Sequence, residues 1–287
     1  MMKNMLIILL TILAWTGCRP GRTRPMEKPV ILVSILPQKG FVEKIGGDDF
    51  QVSVLIPHGA NPTTYSLLPG QMTEISFASL WFRMGYVGFE LSWGDRITET
   101  NPAMKTVDLS QGLPLIGGSF PLERDDREGI DPHTWMSPAN VKIMAATILE
   151  ELTLLNPENR EIYAERYRRF ATLADSTDTA IREILKDCQG KGVITYHPSL
   201  TYFARDYGLH QHSVERGGKE PTPGHMAELT AIARRDSIRT IFIQSEFDIE
   251  MARVFAEEID GEVIRIWPLN PEWSSNLIDI ARLIRDK

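Results

Sequence analysis

The sequence is poor in cysteine: Cys18 and Cys188 are the only two in 287 residues. A disulfide framework is excluded as the source of stability, so the fold must rest on its apolar core. Long apolar runs are missing too. The run near the start, Leu6 to Ala14, is about nine residues, whereas a membrane-spanning helix needs roughly 20. The chain also lacks a basic surplus. Its 31 Lys and Arg against 38 Asp and Glu leave a net charge of -7. That balance excludes the phosphate-neutralising surface of a nucleic-acid binder. No HExxH segment, nucleophile elbow or pair of catalytic carboxylates stands out, so a zinc hydrolase is the least favoured reading and no enzymatic activity is expected.

What is present is a globular composition, 43% hydrophobic and 24% charged. It offers enough chain for one large domain or two lobes. Lys3 followed by Leu6 to Ala14 has the form of a signal peptide. Trp15-Thr16-Gly17-Cys18 then resembles a bacterial lipobox. That resemblance implies cleavage before Cys18, lipidation of its thiol, and a chain anchored to a bacterial membrane on the periplasmic or extracellular side. Residues 19–29, rich in Arg and Pro, read as a tether. Cys188, left without a partner, is expected to be a buried small apolar residue.

From Val30 onward, apolar runs alternate with helical patterns. Strands are expected at 30–33, 50–56, 80–84 and from Val107, with helices at 39–46 and 71–78. A helix opens at Pro138. Beyond Asn156-Pro157 the apolar residues Tyr163, Tyr167, Phe170, Ala174, Ile181 and Ile184 recur in steps of three and four, which predicts one long amphipathic helix. Strands then return at 192–195, 240–244 and 263–266, with helices at 200–207, 223–234, 249–259 and 276–285. This alternation predicts an α/β fold: two lobes with parallel-sheet cores, joined by one long rigid helix, with a ligand cleft between them. In such sheets ligands bind beyond the carboxyl ends of the strands. The residues that follow each strand therefore carry the chemistry.

His197 follows Val193-Ile194-Thr195-Tyr196, and His133 lies in Asp131-Pro132-His133-Thr134-Trp135. Imidazole is a common metal ligand near neutral pH, although two loop histidines 64 residues apart are also what hydrogen-bonded loops contain. His210 and His212 alternate and share one side of an extended segment, either a solvated strand edge or a surface metal contact. His225, in the first turn of a helix, is expected to be solvated. Trp267 and Trp273 are read as core residues or as lining of the cleft.

Asp131-Pro132-His133-Thr134-Trp135-Met136-Ser137-Pro138, with Asn140 and Lys142, resembles the DPHxWLxPxNxK segment of the zinc- and manganese-binding solute-binding proteins of metal ABC importers, the zinc-uptake-A/TroA-like family. Thr195-Tyr196-His197-Pro198, with Tyr202-Phe203 and Tyr207-Gly208-Leu209, is similar to that family's second-lobe motif. Glu215, Gly218-Lys219-Glu220-Pro221, Ile241 to Gln244, and Val54 to Pro62 with Tyr65 match one subgroup. The resemblance runs from about residue 30 to the end. It implies a metal held in the cleft by His133 and His197, delivery to an ABC permease and its ATPase, and a monomeric binding protein.

Two expected ligands are missing. The first, a histidine in the family's GAxPHxYEP-like loop, is replaced here by Thr63, with His58 five residues earlier. The fourth, an aspartate before Pro-Leu, is replaced by Trp267. Residues 117–129 contain none of the histidines common in zinc members. Zinc favours four donors, so a third ligand must come from elsewhere. Glu246, just beyond the strand ending at Gln244, is the first substitute, ahead of Glu215 and His58. Zn2+ is favoured over Mn2+ as cargo because both retained donors are imidazoles. The alternative is a degenerate cleft that binds a metal chelate or an organic solute. The expected organisation is a signal peptide at 1–17, a lipidated cysteine and tether at 18–29, an N-terminal lobe at 30–137, connecting helices at 138–190 and a C-terminal lobe at 191–287.

Overall fold

The computed structural model describes residues 28–117, 129–215 and 221–287. The signal peptide, Cys18 and most of the tether lie outside the described residues, as do Gly218-Lys219-Glu220 and most of 117–129. Among the described residues, no helix is long and apolar enough to cross a membrane.

Two four-stranded parallel sheets organise the chain. The first contains β1 (Val30–Val33), β2 (Gln51–Val54), β3 (Leu80–Arg83) and β4 (Lys105–Asp108), in the order β2-β1-β3-β4. The second contains β5 (Gly192–Thr195), β6 (His210–Ser213), β7 (Thr240–Gln244) and β8 (Glu262–Ile266), in the order β6-β5-β7-β8. The sequence explains these orders. Central strands of a parallel sheet are covered on both faces and need continuous apolar runs. VILV, LWFR, GVIT and TIFIQ supply them and are mostly buried, whereas QVSV, KTVD, HQHS and EVIRI are more polar and take the edges.

Helices α1 (Leu36–Gly46), α2 (Pro69–Phe77) and α3 (Gly88–Thr100) accompany the first sheet. Helix α1 starts earlier than its apolar pattern because Pro37 favours the first helical turn. It ends at Gly47, whose φ of 62° suits glycine. The sequence reading assigns no element to α3. Its apolar stripe is thin, resting on Phe89, Trp93 and Ile97 and interrupted by Gly94.

Helix α4 (Pro138–Leu155) is capped by Ser137, whose hydroxyl accepts from the Asn140 N–H. It buries Val141, Met144, Ala145, Ile148 and Leu152. The expected long helix is α5 (Arg160–Ile184), 25 residues; at 1.5 Å per residue it is roughly 37 Å long. Its buried stripe, Tyr163, Phe170, Ala174, Thr177 and Ile181, packs against both lobes. Phe41 from α1 meets Phe170 at 5.5 Å between centroids. It also meets Trp273, the first residue of the closing helix α9 (Trp273–Asp286), edge-on at 5.6 Å. One core cluster accordingly runs from Ile31 to Ile284, and a second lies within the C-terminal lobe. That lobe also holds α6 (Thr201–Tyr207), α7 (Pro223–Arg235) and α8 (Glu250–Glu258). Cys188 is buried and unpaired, as expected.

Candidate metal centre

Each sheet has a topological switch point, where the order reverses and a crevice opens beyond the carboxyl ends of the strands. In the first sheet that crevice is filled by the protein's own polar groups. Gln38 accepts the Ser34 and Ile35 N–H groups and donates to the Phe82 carbonyl. Glu90 accepts from Met84 N and Gly85 N, both at 2.7 Å. Burial pushes the Glu90 carboxyl up to about 7, against the opposing hydrogen bonds of Ser34, Met84 and Gly85 and the charge of Arg83.

In the second sheet the candidate residues follow the strands. His197 follows β5, Glu215 follows β6, Glu246 follows β7 and Trp267 follows β8. His133 enters from a loop ahead of the 3-10 turn Thr134–Met136, which leads into α4. The 133 and 197 rings stand edge-on to one another, with centroids 5.2 Å apart and planes at 70°. Trp135 fixes the loop between the lobes. Its indole N–H donates to the Pro268 carbonyl at 2.9 Å, and its own carbonyl accepts from Trp273 at 2.7 Å.

Both imidazoles are held in the same way. Nδ1 of His133 is 2.9 Å from Oδ1 of Asp131, and Nδ1 of His197 is 2.9 Å from Oε2 of Glu215. A carboxylate there selects the tautomer with the proton on Nδ1 and leaves Nε2 with a free lone pair. This is the outer-shell arrangement of metal-binding histidines. It places Oε2 of Glu215 against Nδ1 of His197. Burial alone would raise the Asp131 carboxyl. The His133 ring and backbone N–H, with the Thr201 hydroxyl, outweigh burial and hold the carboxyl below the usual range. Phe247 stacks on the other side of His197 at 5.5 Å and 24°.

The remaining expectations divide. Thr63 is exposed. His58 is also exposed, and its ring stands edge-on to Trp267 at 4.7 Å. Trp267 is half-buried and packs against the first core cluster. Glu246 is half-buried, and its Oε1 is shielded from solvent without a hydrogen-bond partner. Burial raises its carboxyl above the usual range, opposed by Trp267 and His58. Among the described residues, no group of three or more His, Cys, Asp and Glu stands in a metal-holding arrangement. The two imidazoles are neighbours, whereas the groups beside Glu246 are Trp267 and His58.

His225 corrects its expectation. It is 8% exposed, with Nε2 2.8 Å from the Ser213 carbonyl, so it pins α7 to β6 instead of meeting solvent. His210 is exposed on the edge strand, and His212 is half-buried. Both line a cavity of about 620 Å³ with Thr201, Gln211, Arg205 and Arg235. Trp273 is core, as read.

Two parallel α/β lobes braced by a long helix, with an oriented imidazole pair at the switch point of one sheet, define a two-lobed binding protein of the metal-capturing class. The chain belongs to the family described as "ZnuA: Zinc-uptake complex component A periplasmic", whose profile matches residues 31–282. That family supplies solute-binding components of transport systems and not enzymes. The chain is 30% identical over 267 residues to a putative metal-binding protein of Chlamydia muridarum, covering 93% of this chain and 94% of that one. It is 24% identical over 262 residues to the manganese ABC transporter substrate-binding lipoprotein PsaA of Streptococcus anginosus, covering 85% and 82%. A crystal structure of ZnuA superposes with a TM-score of 0.83 at 35% identity, covering 91% of this chain and 99% of that one.

Proposed function

We propose that this protein captures Zn2+ outside the cytoplasmic membrane and hands it to an ABC permease driven by an ATPase. His133 and His197 are the principal ligands. The observation that carries this reading is the paired restraint of the two rings: Asp131 and Glu215 each hold an Nδ1, which leaves each Nε2 as the coordinating nitrogen, with the ring centroids 5.2 Å apart. Imidazole donors favour zinc over manganese, which prefers oxygen. Glu246 is the third ligand. It joins when the turn after β7 carries its unpaired carboxylate oxygen toward the imidazoles, an exchange that relieves the burial of an unsatisfied charge. Two imidazoles and one carboxylate leave the fourth tetrahedral position to water. Cys18, lipidated after removal of residues 1–17, anchors the chain to the membrane, and the protein acts as a monomer.

A competition titration tests the reading. Apo protein beginning after Cys18 is offered Zn2+ and Mn2+ against a chromophoric chelator, in wild type and in Glu246→Gln. The account expects one site that prefers zinc and is weakened in the variant. A site that prefers manganese, or one indifferent to Glu246→Gln, would move the cargo or the third ligand elsewhere. No metal site, together with stabilisation by a small organic solute, would instead support the degenerate cleft.

A further inference from the structure

The carboxylate that orients His133 is itself held from the other lobe. Asp131 is 3% exposed, and its two oxygens have separate tasks. Oδ1 accepts both the ring Nδ1–H and the backbone N–H of His133, each at 2.9 Å. Oδ2 accepts the Thr201 hydroxyl at 2.7 Å. Thr201 opens α6 in the C-terminal lobe, and its oxygen receives a hydrogen bond from Nε2 of Gln211 on the edge strand β6 at 2.9 Å. The Gln211 amide is oriented in turn, because its Oε1 accepts the Leu200 N–H at 2.6 Å.

The direction of every bond in this chain is fixed. Gln211 Nε2 can only donate, so the Thr201 oxygen is the acceptor there and its single proton is left for another partner. Two acceptors compete for that proton: Asp131 Oδ2 at 2.7 Å and the Pro198 carbonyl at 3.3 Å. The shorter, charge-assisted bond wins. The neighbouring Tyr202 hydroxyl donates to the Asp131 carbonyl at 3.0 Å, so the backbone at 131 is tied to the same helix.

We propose that Thr201, set by Gln211, is a positioning residue for metal capture: its hydroxyl fixes Asp131 from the opposite lobe and so aims Nε2 of His133 into the cleft. This rests on the reading of His133 as a metal ligand. The relay also makes the geometry of one ligand depend on how α6 and β6 sit against the 131 loop. Ligand aim and lobe arrangement are thereby coupled.

The test measures zinc affinity and apo thermal stability for wild type, Thr201→Val, Thr201→Ser, Gln211→Glu and His133→Ala. Cobalt absorption of the metal-loaded forms serves as a signature of ligand geometry. Thr201→Val removes the hydroxyl at nearly constant shape. It is expected to weaken zinc several-fold, less than the roughly tenfold minimum for losing an outer-shell partner itself, and to alter the cobalt spectrum. Thr201→Ser should restore both. Gln211→Glu keeps the acceptor for Leu200 but offers the Thr201 proton a competing carboxylate, so it should mimic Thr201→Val without entering the core. Wild-type affinity in Thr201→Val and Gln211→Glu, with affinity lost in His133→Ala, would overturn the positioning role alone. Equal loss in Thr201→Ser and Thr201→Val would also overturn it, since the hydroxyl would then be irrelevant. Unchanged affinity in His133→Ala would overturn the metal reading beneath it.

Discussion

Glu215 is the sharpest place to perturb the proposed site, because it touches the proposed ligand His197. Its Oε2 lies 2.9 Å from Nδ1 of His197, and the residue is 8% exposed. Glu215→Ala removes the only carboxylate within hydrogen-bond distance of that nitrogen among the described residues. Two losses follow: the ring is free to take the other tautomer, and a largely buried N–H loses its acceptor. Outer-shell truncations of this kind cost about 10–100-fold in metal affinity, or about 1.4–2.7 kcal/mol. Glu215→Gln keeps an acceptor oxygen and loses only the charge, so its cost should be under about tenfold, below the range for losing the partner outright. The assay is zinc competition against a chromophoric chelator at neutral pH, with apo melting temperature as the control for folding. The order wild type, Glu215→Gln, Glu215→Ala, His197→Ala from tightest to weakest is expected. Glu215→Ala binding as tightly as wild type while His197→Ala fails would refute the claim that the carboxylate prepares the ring.

Three further outcomes follow from groups near the crevices. Glu90 has its folded pKa raised to about 7 from 4.5. The folded state therefore holds the extra proton between those values, and stability is lost as pH rises from about 4.5 to 7. The loss attributable to Glu90 is about 3 kcal/mol, read as the difference between wild type and Glu90→Gln in urea unfolding across that window. Glu246 is also raised by burial, so its ionisation opposes folding of the apo protein. Glu246→Gln should then gain apo stability relative to wild type as pH rises past the usual carboxylate range, even while zinc binding weakens; parallel unfolding curves at pH 5 and pH 8 would contradict this. Trp135→Phe breaks the indole bond to the Pro268 carbonyl, leaving a buried acceptor unmatched. A cost of about 1–3 kcal/mol is expected in thermal or urea unfolding.

The sheets were legible in the sequence because their physics is local. Continuous apolar runs such as Thr240–Gln244 mark central strands, and steps of three and four along α5 mark a helix lying on a core. Helix α3 was not legible, since Gly94 and exposed Leu91 leave it too narrow a stripe. His133 and His197 were found from their place after a strand and ahead of a helix, together with the motifs around them. The partner of each ring was not. Asp131 precedes His133 by two residues, but Glu215 reaches His197 only because β6 lies parallel to β5. Two residues one strand apart in a parallel sheet share a carboxyl end, and register turns that into contact. Similarly, His225 reads as a surface residue from helix position, but pairing with the Ser213 carbonyl draws it inside. The Thr201–Gln211 relay left no sequence signal, because threonine at a helix start and glutamine in an edge strand are ordinary choices.

The central claim is that His133 and His197 together hold a metal ion. Calorimetric titration of zinc into the apo protein beginning after Cys18, in wild type and in the His133→Ala/His197→Ala double variant, tests it most directly. The account predicts one zinc site in the wild type that disappears in a double variant of unchanged apo stability. A site that survives the double substitution at full affinity, or a wild type that takes up no zinc, would contradict it.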